Sequence, residues 1–188
     1  MSKVVVAIVA VVVAAAVTVA VMRRQPAEPP ADAPVVSVQE LMEGVVNPGA
    51  QAIFNSVGVI TTTSGTEERQ PRSDEEWAAV ERQAAILAEA ASLLKNAARP
   101  IAPPGEPDAT AEGGELPTAE IASRRQNDLA GWSSHADAVR VVAVKARDAA
   151  RGRSVEGLFS AGADLEGACE ACHQTFWYNA PPGVRIRR

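Results

Sequence analysis

The chain begins with a long apolar run, after which the pattern becomes amphipathic. Val4–Met22 is a stretch of 19 residues in which only Thr18 interrupts the apolar character. As a helix it would be about 28 Å long, close to the thickness of the hydrocarbon core of a bilayer. The apolar region of a secretory signal is usually shorter. We therefore predict that residues 1–24 are a transmembrane anchor, with cleavage after the small residues 18–20 as the alternative.

The rest of the chain divides into a linker, a helical domain and a tail. Residues 25–36 are rich in Pro and Ala and have no apolar periodicity, which is typical of an extended spacer. Residues 37–180 contain four stretches with the three- and four-residue apolar spacing of helices. Residues 181–188 form a short C-terminal tail. We expect one domain, built from the four helical stretches.

The first two helical stretches each begin with a Ser-x-x-Glu capping box, formed by Ser37 with Glu40 and by Ser73 with Glu76. Pro48 lies inside the first stretch and should kink or restart that helix, because proline removes a backbone hydrogen bond. No such interruption occurs in the second stretch before Arg99-Pro100. The positions expected to face the core are Val38, Leu41, Met42, Val45, Ile53 and Val57 in the first stretch, and Trp77, Val80, Ala84, Leu87, Ala91 and Leu94 in the second.

The last two stretches follow a loop at residues 100–117, which is rich in Pro, Gly and acidic residues and is expected to run exposed. The third should run from Thr118 to about Arg151, with Gly152 as a left-handed C-cap, and the fourth should begin at Ser154. Because no stretch has the period of a strand, the predicted fold is all-α, an antiparallel four-helix bundle with an N-terminal transmembrane helix. The expected core positions are Ile121, Leu129, Trp132, Ala136, Val139, Ala143, Ala146 and Ala150, then Leu158, Ala161, Leu165, Ala168, Cys172 and Phe176.

Composition and charge limit the possible functions. The chain has 188 residues, of which 47% are hydrophobic but only 4% aromatic, so a large group could fill the centre of a bundle of small side chains. The formal net charge of −5 gives no basic surface for nucleic acid. A negative surface can steer a positively charged protein partner. No arrangement of residues typical of a catalytic triad, a phosphate loop or paired carboxylates occurs, and we do not expect an enzyme.

One short motif carries clear chemistry. Cys169-Glu170-Ala171-Cys172-His173 matches C-x-x-C-H, the attachment pattern of c-type haem. Two thiols three residues apart on one helical turn can each form a thioether with a haem vinyl group, and the adjacent imidazole can ligate the iron. The chain has only two Cys and two His, and three of these four residues fall in this motif. We predict one covalently attached haem c per chain.

Two other uses of the cysteine pair fit less well. A disulfide or a redox dithiol would be expected beside a βαβ pattern, which the chain lacks. A zinc site would have at most three clustered ligands.

The motif lies near the C-terminus after three helical stretches, and in this the chain resembles the cytochrome c′ superfamily, in particular its low-spin branch. The resemblance covers about Val35 to Tyr178 and implies His173 as the proximal ligand and a Met ligand from the first helix. Met42 is the residue that matches, and it is the only Met beyond the N-terminal apolar run. Met42 could instead be a core residue, His135 could be the sixth ligand, or the iron could stay five-coordinate.

Together with the N-terminal apolar run, the haem motif and the resemblance predict a membrane-anchored, periplasmic cytochrome that transfers one electron at a time. Because c-type haem is attached on the outer side of bacterial-type membranes, the chain should be a single-pass inner-membrane protein with its haem domain in the periplasm. Its partners would be redox proteins, themselves associated with the membrane. Two alternatives are a five-coordinate cytochrome that binds NO or CO and a haem-carrying subunit of a membrane respiratory complex. Several Arg residues could pair with the haem propionates, without a sequence signal that selects one.

Overall fold

The computed structural model describes residues 33–105 and 114–178 of the chain, and its regular elements lie in the unit Pro34–Arg188. The predicted transmembrane anchor, most of the predicted linker and the C-terminal tail lie outside the described residues. Among the described residues no helix combines the length and the apolar character needed to cross a membrane.

The described residues are mostly helical and form five helices and one β-hairpin. The helix α1 covers residues 38–54 in three consecutive segments. The elements are α1 (Val38–Leu41, a π-helical turn Met42–Val46, and Asn47–Phe54), β1 (Gly58–Thr62), β2 (Gly65–Arg69), α2 (Asp74–Leu93), α3 (Thr118–Asn127), α4 (Leu129–Arg151) and α5 (Val155–Phe176). Helix α4 packs along both α2 and α5, and α1 packs against α2 and α5.

Helix α1 begins as predicted, and its α-helical conformation restarts at Asn47, next to Pro48. The Ser37 hydroxyl accepts a hydrogen bond from the Glu40 backbone N–H, and the Glu40 carboxylate accepts one from the Ser37 N–H at 2.7 Å. The expected break takes the form of a π-helical turn just before Pro48, in which the N–H of residue 47 donates to the Met42 carbonyl, five residues back. The extra residue rotates the buried face, so Val46 is buried where the sequence predicted Val45.

Helix α2 agrees with its prediction throughout. The Ser73–Glu76 capping box forms, and all six predicted core positions of this helix, from Trp77 to Leu94, are buried. The backbone of α1 comes close to it, because Gly49 is buried so near to Leu87 that a Cβ would lie 3.1 Å from the leucine Cβ.

The third predicted helix is two helices, which corrects the sequence prediction. Asp128 leaves the helical conformation (φ −141°, ψ 65°), and its carboxylate caps α4 by accepting a hydrogen bond from Gly131 N–H at 2.8 Å. A Cβ on residue 131 would lie 2.2 Å from that carboxylate, so a larger residue here would displace the capping side chain. At the far end of α4, Gly152 is not left-handed (φ −81°); Arg153 takes that conformation instead (φ 53°).

The absence of strands was also a wrong prediction. Strands β1 and β2 pair antiparallel around a two-residue turn, with Thr62 opposite Gly65, and Gly65 has a φ of 137°. The strands contain β-branched residues such as Val59 and Ile60, which favour extended backbone. All residues of the hairpin except Gly58 are exposed. Because neither face is buried, the usual alternation of apolar and polar residues is missing and gives no strand signal.

The loop after α2 does not run exposed along its whole length. Its first part is fixed to α1, since Val38 N–H donates to the Pro100 carbonyl at 2.8 Å and Ile101 is buried. At its other end Leu116 is buried, and its N–H donates to the Trp177 carbonyl at 2.8 Å. Two parts of this connection therefore pack against the helical core and close one side of the site.

Candidate functional site

The attachment motif lies on the last two turns of α5. Cys169 and Cys172 are three residues apart and therefore share a face of the helix, and both are half-buried free thiols. His173 follows directly. The helix ends three residues later, where the backbone N–H groups of Trp177 and Tyr178 both donate to the His173 carbonyl, at 2.8 and 2.9 Å. These two bonds fix the backbone at the position of the histidine.

A cavity of about 580 Å³ opens in front of this motif. Both thiols of the motif and the His173 imidazole line it from α5, Met42 lines it from α1, and His135 lines it from α4. The structure thus brings together every residue that the sequence singled out as an attachment point or as a candidate ligand. The volume is within the range of about 300–1,000 Å³ that is usual for ligand and cofactor sites.

The surfaces of the cavity are largely apolar and come from elements far apart in the chain. Helices α1, α3, α4 and α5 contribute, as do both ends of the loop between α2 and α3. The apolar residues on the cavity surface include Val38, Val46, Ile101, Leu116, Ile121 and Phe176. Sequence reasoning missed the two loop residues because the loop was expected to be exposed. An isolated apolar residue next to proline, as in Pro100-Ile101 and Leu116-Pro117, is the signal that could have identified them.

Met42 lies at the start of the π-helical turn, half-buried and packed against the core. Its neighbour on that turn, Val45, is also half-buried against the core but does not line the cavity. Of these two apolar side chains on the π-helical turn, Met42 lines the cavity, whereas Val45 only packs against the core. Turns of this kind are frequent at functional sites.

His135 is closer to the site than its helical position suggested. Its ring is half-buried and meets the Phe176 ring edge-on, with 5.8 Å between centroids. Phe176 also contacts Trp132 edge-on at 5.1 Å, and both of these aromatic residues are buried core residues, as expected. His135 is not among the core positions that the sequence predicted for its helix, but it forms part of the cavity surface.

The end of α5 that carries His173 has aromatic and acidic neighbours. The rings of His173 and Tyr178 lie 5.7 Å apart and edge-on. Tyr178 pairs with Glu115 in an isolated antiparallel bridge, which places a carboxylate near the imidazole. Trp177 and Tyr178, which follow the motif directly, both line the cavity.

The protonation states of the motif follow from its burial. Burial raises the pKa of the Cys169 thiol, and burial together with the neighbouring Cys169 raises the pKa of Cys172 to about 11. Burial also lowers the pKa of His173, although Glu170 and Glu115 oppose this. At neutral pH the site therefore holds two neutral thiols and a neutral imidazole. Redox-active cysteine pairs have lowered thiol pKa values, so this environment does not favour a redox dithiol.

Two buried arginines lie beside the cavity, and sequence reasoning did not select them. Arg99 and Arg125 are 5% and 6% exposed. Arg125 stacks over the Trp132 ring, with its guanidinium carbon 5.6 Å from the ring centroid. Its Nε is buried without a hydrogen-bond partner. The motif Arg124-Arg125 at the end of an amphipathic helix gave no indication that the second arginine turns inward.

In the described ranges, no group of three or more His, Cys, Asp or Glu side chains is placed to hold a metal ion. A haem iron takes four of its ligands from the porphyrin and needs only one or two from the protein. No family model matches the chain, and neither a curated protein nor a solved structure matches it.

Proposed function

We propose that the chain is a membrane-anchored c-type cytochrome that carries one covalent haem and transfers single electrons. One observation carries this proposal. One apolar cavity is lined by both thiols and the imidazole of the C-x-x-C-H motif on α5, and by Met42 on α1. The motif and the methionine are more than a hundred residues apart in the chain, and the sequence pattern selected them independently of the cavity.

The residues present fit a haem in two respects. The cavity is of cofactor size and mostly apolar, as the macrocycle requires. The thiols are neutral and half-buried at its surface, and the imidazole is in the neutral form that ligates a metal.

In this proposal Cys169 and Cys172 would hold the macrocycle, and His173 and Met42 would ligate the iron. Each free thiol would form one thioether by adding its S–H across a vinyl C=C of the haem, which needs no external oxidant. When bound, the haem supplies a one-electron iron couple, whose potential a Met/His ligand pair raises. The apolar side chains around the cavity exclude water, and the hydrogen bonds to the His173 carbonyl limit the movement of its helix end.

We also assign the fold to a four-helix bundle made of α1, α2, α4 and α5. The contacts of α4 with α2 and α5, and of α1 with the same two helices, support this arrangement. Helix α3 is a short connecting helix that closes one side of the cavity through Ile121. Covalent haem on the last helix and a ligand from the first agree with the cytochrome c′ superfamily pattern.

The anchor gives a separate prediction. We expect the haem protein to stay in the membrane fraction after a high-salt wash, because Val4–Met22 is long enough to span the hydrocarbon core. A chain that begins at Pro26 behind a cleavable export signal should instead be recovered in the soluble periplasmic fraction. A mature N-terminus at or near Val21 would contradict the anchor and identify the segment as a signal peptide.

The partner class follows from location and charge. A cytochrome held at the periplasmic face of the inner membrane exchanges electrons most readily with other proteins at that surface. The net charge of −5, to which haem propionates would add, favours partners with a basic docking surface. The proposal includes no enzymatic step.

Optical spectroscopy of the ferric and ferrous protein tests the function directly. The full-length chain, produced with a c-type haem maturation system, should contain one haem per chain and show a low-spin ferric spectrum. A high-spin ferric spectrum would contradict electron transfer as the function and would favour an open iron that binds NO or CO. Stable co-purification with a larger respiratory complex would identify the chain as a haem-carrying subunit of that complex.

A further inference from the structure

A short backbone bridge joins the segment before α3 to the end of α5. Glu115 pairs with Tyr178 in an isolated antiparallel bridge, and the Leu116 N–H donates to the Trp177 carbonyl at 2.8 Å. The Leu116 side chain is buried, with 1% of its surface exposed. These contacts hold the backbone of residue 115 beside the helix end that carries His173.

The bridge brings the Glu115 side chain close to the motif histidine. Residues directly opposite each other in an antiparallel pair project to the same face, with Cβ atoms about 4.5–5.5 Å apart. The Tyr178 ring in turn meets the His173 ring edge-on, with 5.7 Å between centroids. Glu115, Tyr178 and His173 also line the same cavity. A carboxylate from the loop therefore belongs to the immediate surroundings of the imidazole.

Two carboxylates act on this imidazole, and they differ in their surroundings. Burial lowers the pKa of His173, whereas Glu170 and Glu115 raise it, and no residue within 33–105 or 114–178 forms a hydrogen bond with its ring nitrogens. Glu170 is exposed on α5 and already accepts a hydrogen bond from Gln174 Nε2 at 2.7 Å. Glu115 is half-buried at the cavity surface, where solvent screens a charge less. Glu115 is therefore the better placed acceptor for the ring.

We propose that Glu115 is a positioning residue for the haem-ligating histidine, and that its carboxylate accepts a hydrogen bond from the His173 ring N–H that faces away from the iron. This inference rests on the proposed haem function. Metal-ligating histidines usually donate their second ring N–H to a carboxylate, a backbone carbonyl or water, which fixes the ring orientation and makes the ligating nitrogen more basic. A nearby negative charge and a more basic ligand both stabilise the ferric state, so Glu115 lowers the reduction potential.

The test uses the full-length haem protein and two isosteric variants. Glu115→Gln removes the carboxylate but retains the size of the side chain, so the backbone bridge to Tyr178 can remain. Glu170→Gln is the matched control, because it removes an exposed carboxylate that does not line the cavity. We expect Glu115→Gln to shift the electron-transfer equilibrium with a fixed redox mediator at least tenfold toward the ferrous form, equivalent to about 59 mV for one electron. Glu170→Gln should shift it less than about threefold, as is usual for an exposed charge.

Proton NMR detects the hydrogen bond itself. The ferrous protein is measured as it is if it is low-spin and as its CO complex if it is high-spin, since both forms are diamagnetic. The His173 ring N–H should exchange with solvent at least about tenfold faster in Glu115→Gln than in the parent, because a charge-assisted hydrogen bond is lost. In Glu170→Gln it should exchange at the parent rate.

A purely structural role for Glu115 predicts a different result. In that case Glu115→Gln would lower the thermal stability, while the reduction potential and the exchange rate of the ring N–H would match those of the parent. That result would overturn the proposal and leave the cytochrome function intact. Equal effects of the two glutamine variants, or an effect of Glu170→Gln alone, would also overturn it. Absence of covalent haem from the parent would overturn both the inference and the proposed function.

The parent and a conservative variant keep the proposal testable if Glu115→Gln does not fold. Glu115→Asp retains the charge on a shorter side chain, so we expect it to keep a reduction potential near that of the parent and to exchange the ring N–H faster. In the parent itself, a His173 ring N–H that exchanges as fast as that of an imidazole in water would exclude the bond to Glu115.

Discussion

A chain carrying both Cys169→Ala and Cys172→Ala is expected to lose all covalently attached haem. These residues are the only cysteines in the chain, so no other side chain can form a thioether. After denaturing electrophoresis the haem stain should be present in the parent band and absent from that of the double variant. Both thiols lie at the cavity surface and replacement by alanine removes only a sulfur atom, so the helical circular dichroism of the apoproteins should remain similar.

The two single variants are the matched controls for this experiment. Each retains one thiol on the same face of α5 and should keep a haem stain through a single thioether. Their pyridine haemochrome spectra should shift to longer wavelength than that of the parent, because one vinyl group stays conjugated with the macrocycle. Haem that can be extracted intact from the parent with acidified solvent would contradict covalent attachment, and a stain that persists in the double variant would place the attachment elsewhere.

Local sequence signals predicted the regular parts of the fold well. Helix α2 combines a capping box with an uninterrupted apolar stripe, and both features appear where the sequence placed them. Ser154 likewise begins α5, where its hydroxyl accepts from Gly157 N–H at 3.0 Å. In these elements the backbone propensity, the cap and the buried face all indicate the same structure, so short-range reasoning is sufficient.

The departures occur where two local signals compete. Asp128 lies in a stretch whose apolar spacing continues from α3 into α4, but its carboxylate also suits an N-cap, and the cap determines the structure. In α1 a π-helical turn precedes Pro48, and as a result Val46 rather than Val45 is buried in the core. Periodicity alone does not predict where an extra residue enters a helix.

Part of the candidate site could be predicted from the sequence. The C-x-x-C-H motif and Met42 could be selected because their residue types are rare in this chain and carry specific chemistry. The loop residue Leu116 and the inward-facing Arg125 could not, because their roles depend on long-range contacts with α5 and with the end of α2. Sequence therefore indicates the chemistry of the cavity, whereas the tertiary contacts determine its shape.

The sixth ligand decides between an electron carrier and a gas-binding protein, and Met42→Ala tests it. If the thioether ligates the iron, the parent is six-coordinate and low-spin, and an external ligand must first displace the methionine. The variant should then be high-spin in the ferric form and bind CO faster in the ferrous form. Its reduction potential should fall by on the order of 100 mV or more, within the roughly 0.8 V range over which axial ligands tune haem.

Val45→Ala is the control for lost packing, since Val45 lies on the same π-helical turn, is half-buried and does not line the cavity. It should leave the spin state, the potential and the CO binding rate unchanged.

His135 requires a second control because it also lines the cavity and could take the ligand position that Met42 leaves. We expect His135→Ala alone to change none of the three properties. If Met42→Ala stays low-spin and only the Met42→Ala, His135→Ala double variant becomes high-spin, His135 replaces the lost ligand. A parent that is already high-spin, or a double variant with the parent spectrum, would exclude Met42 as a ligand and favour binding of NO or CO as the function.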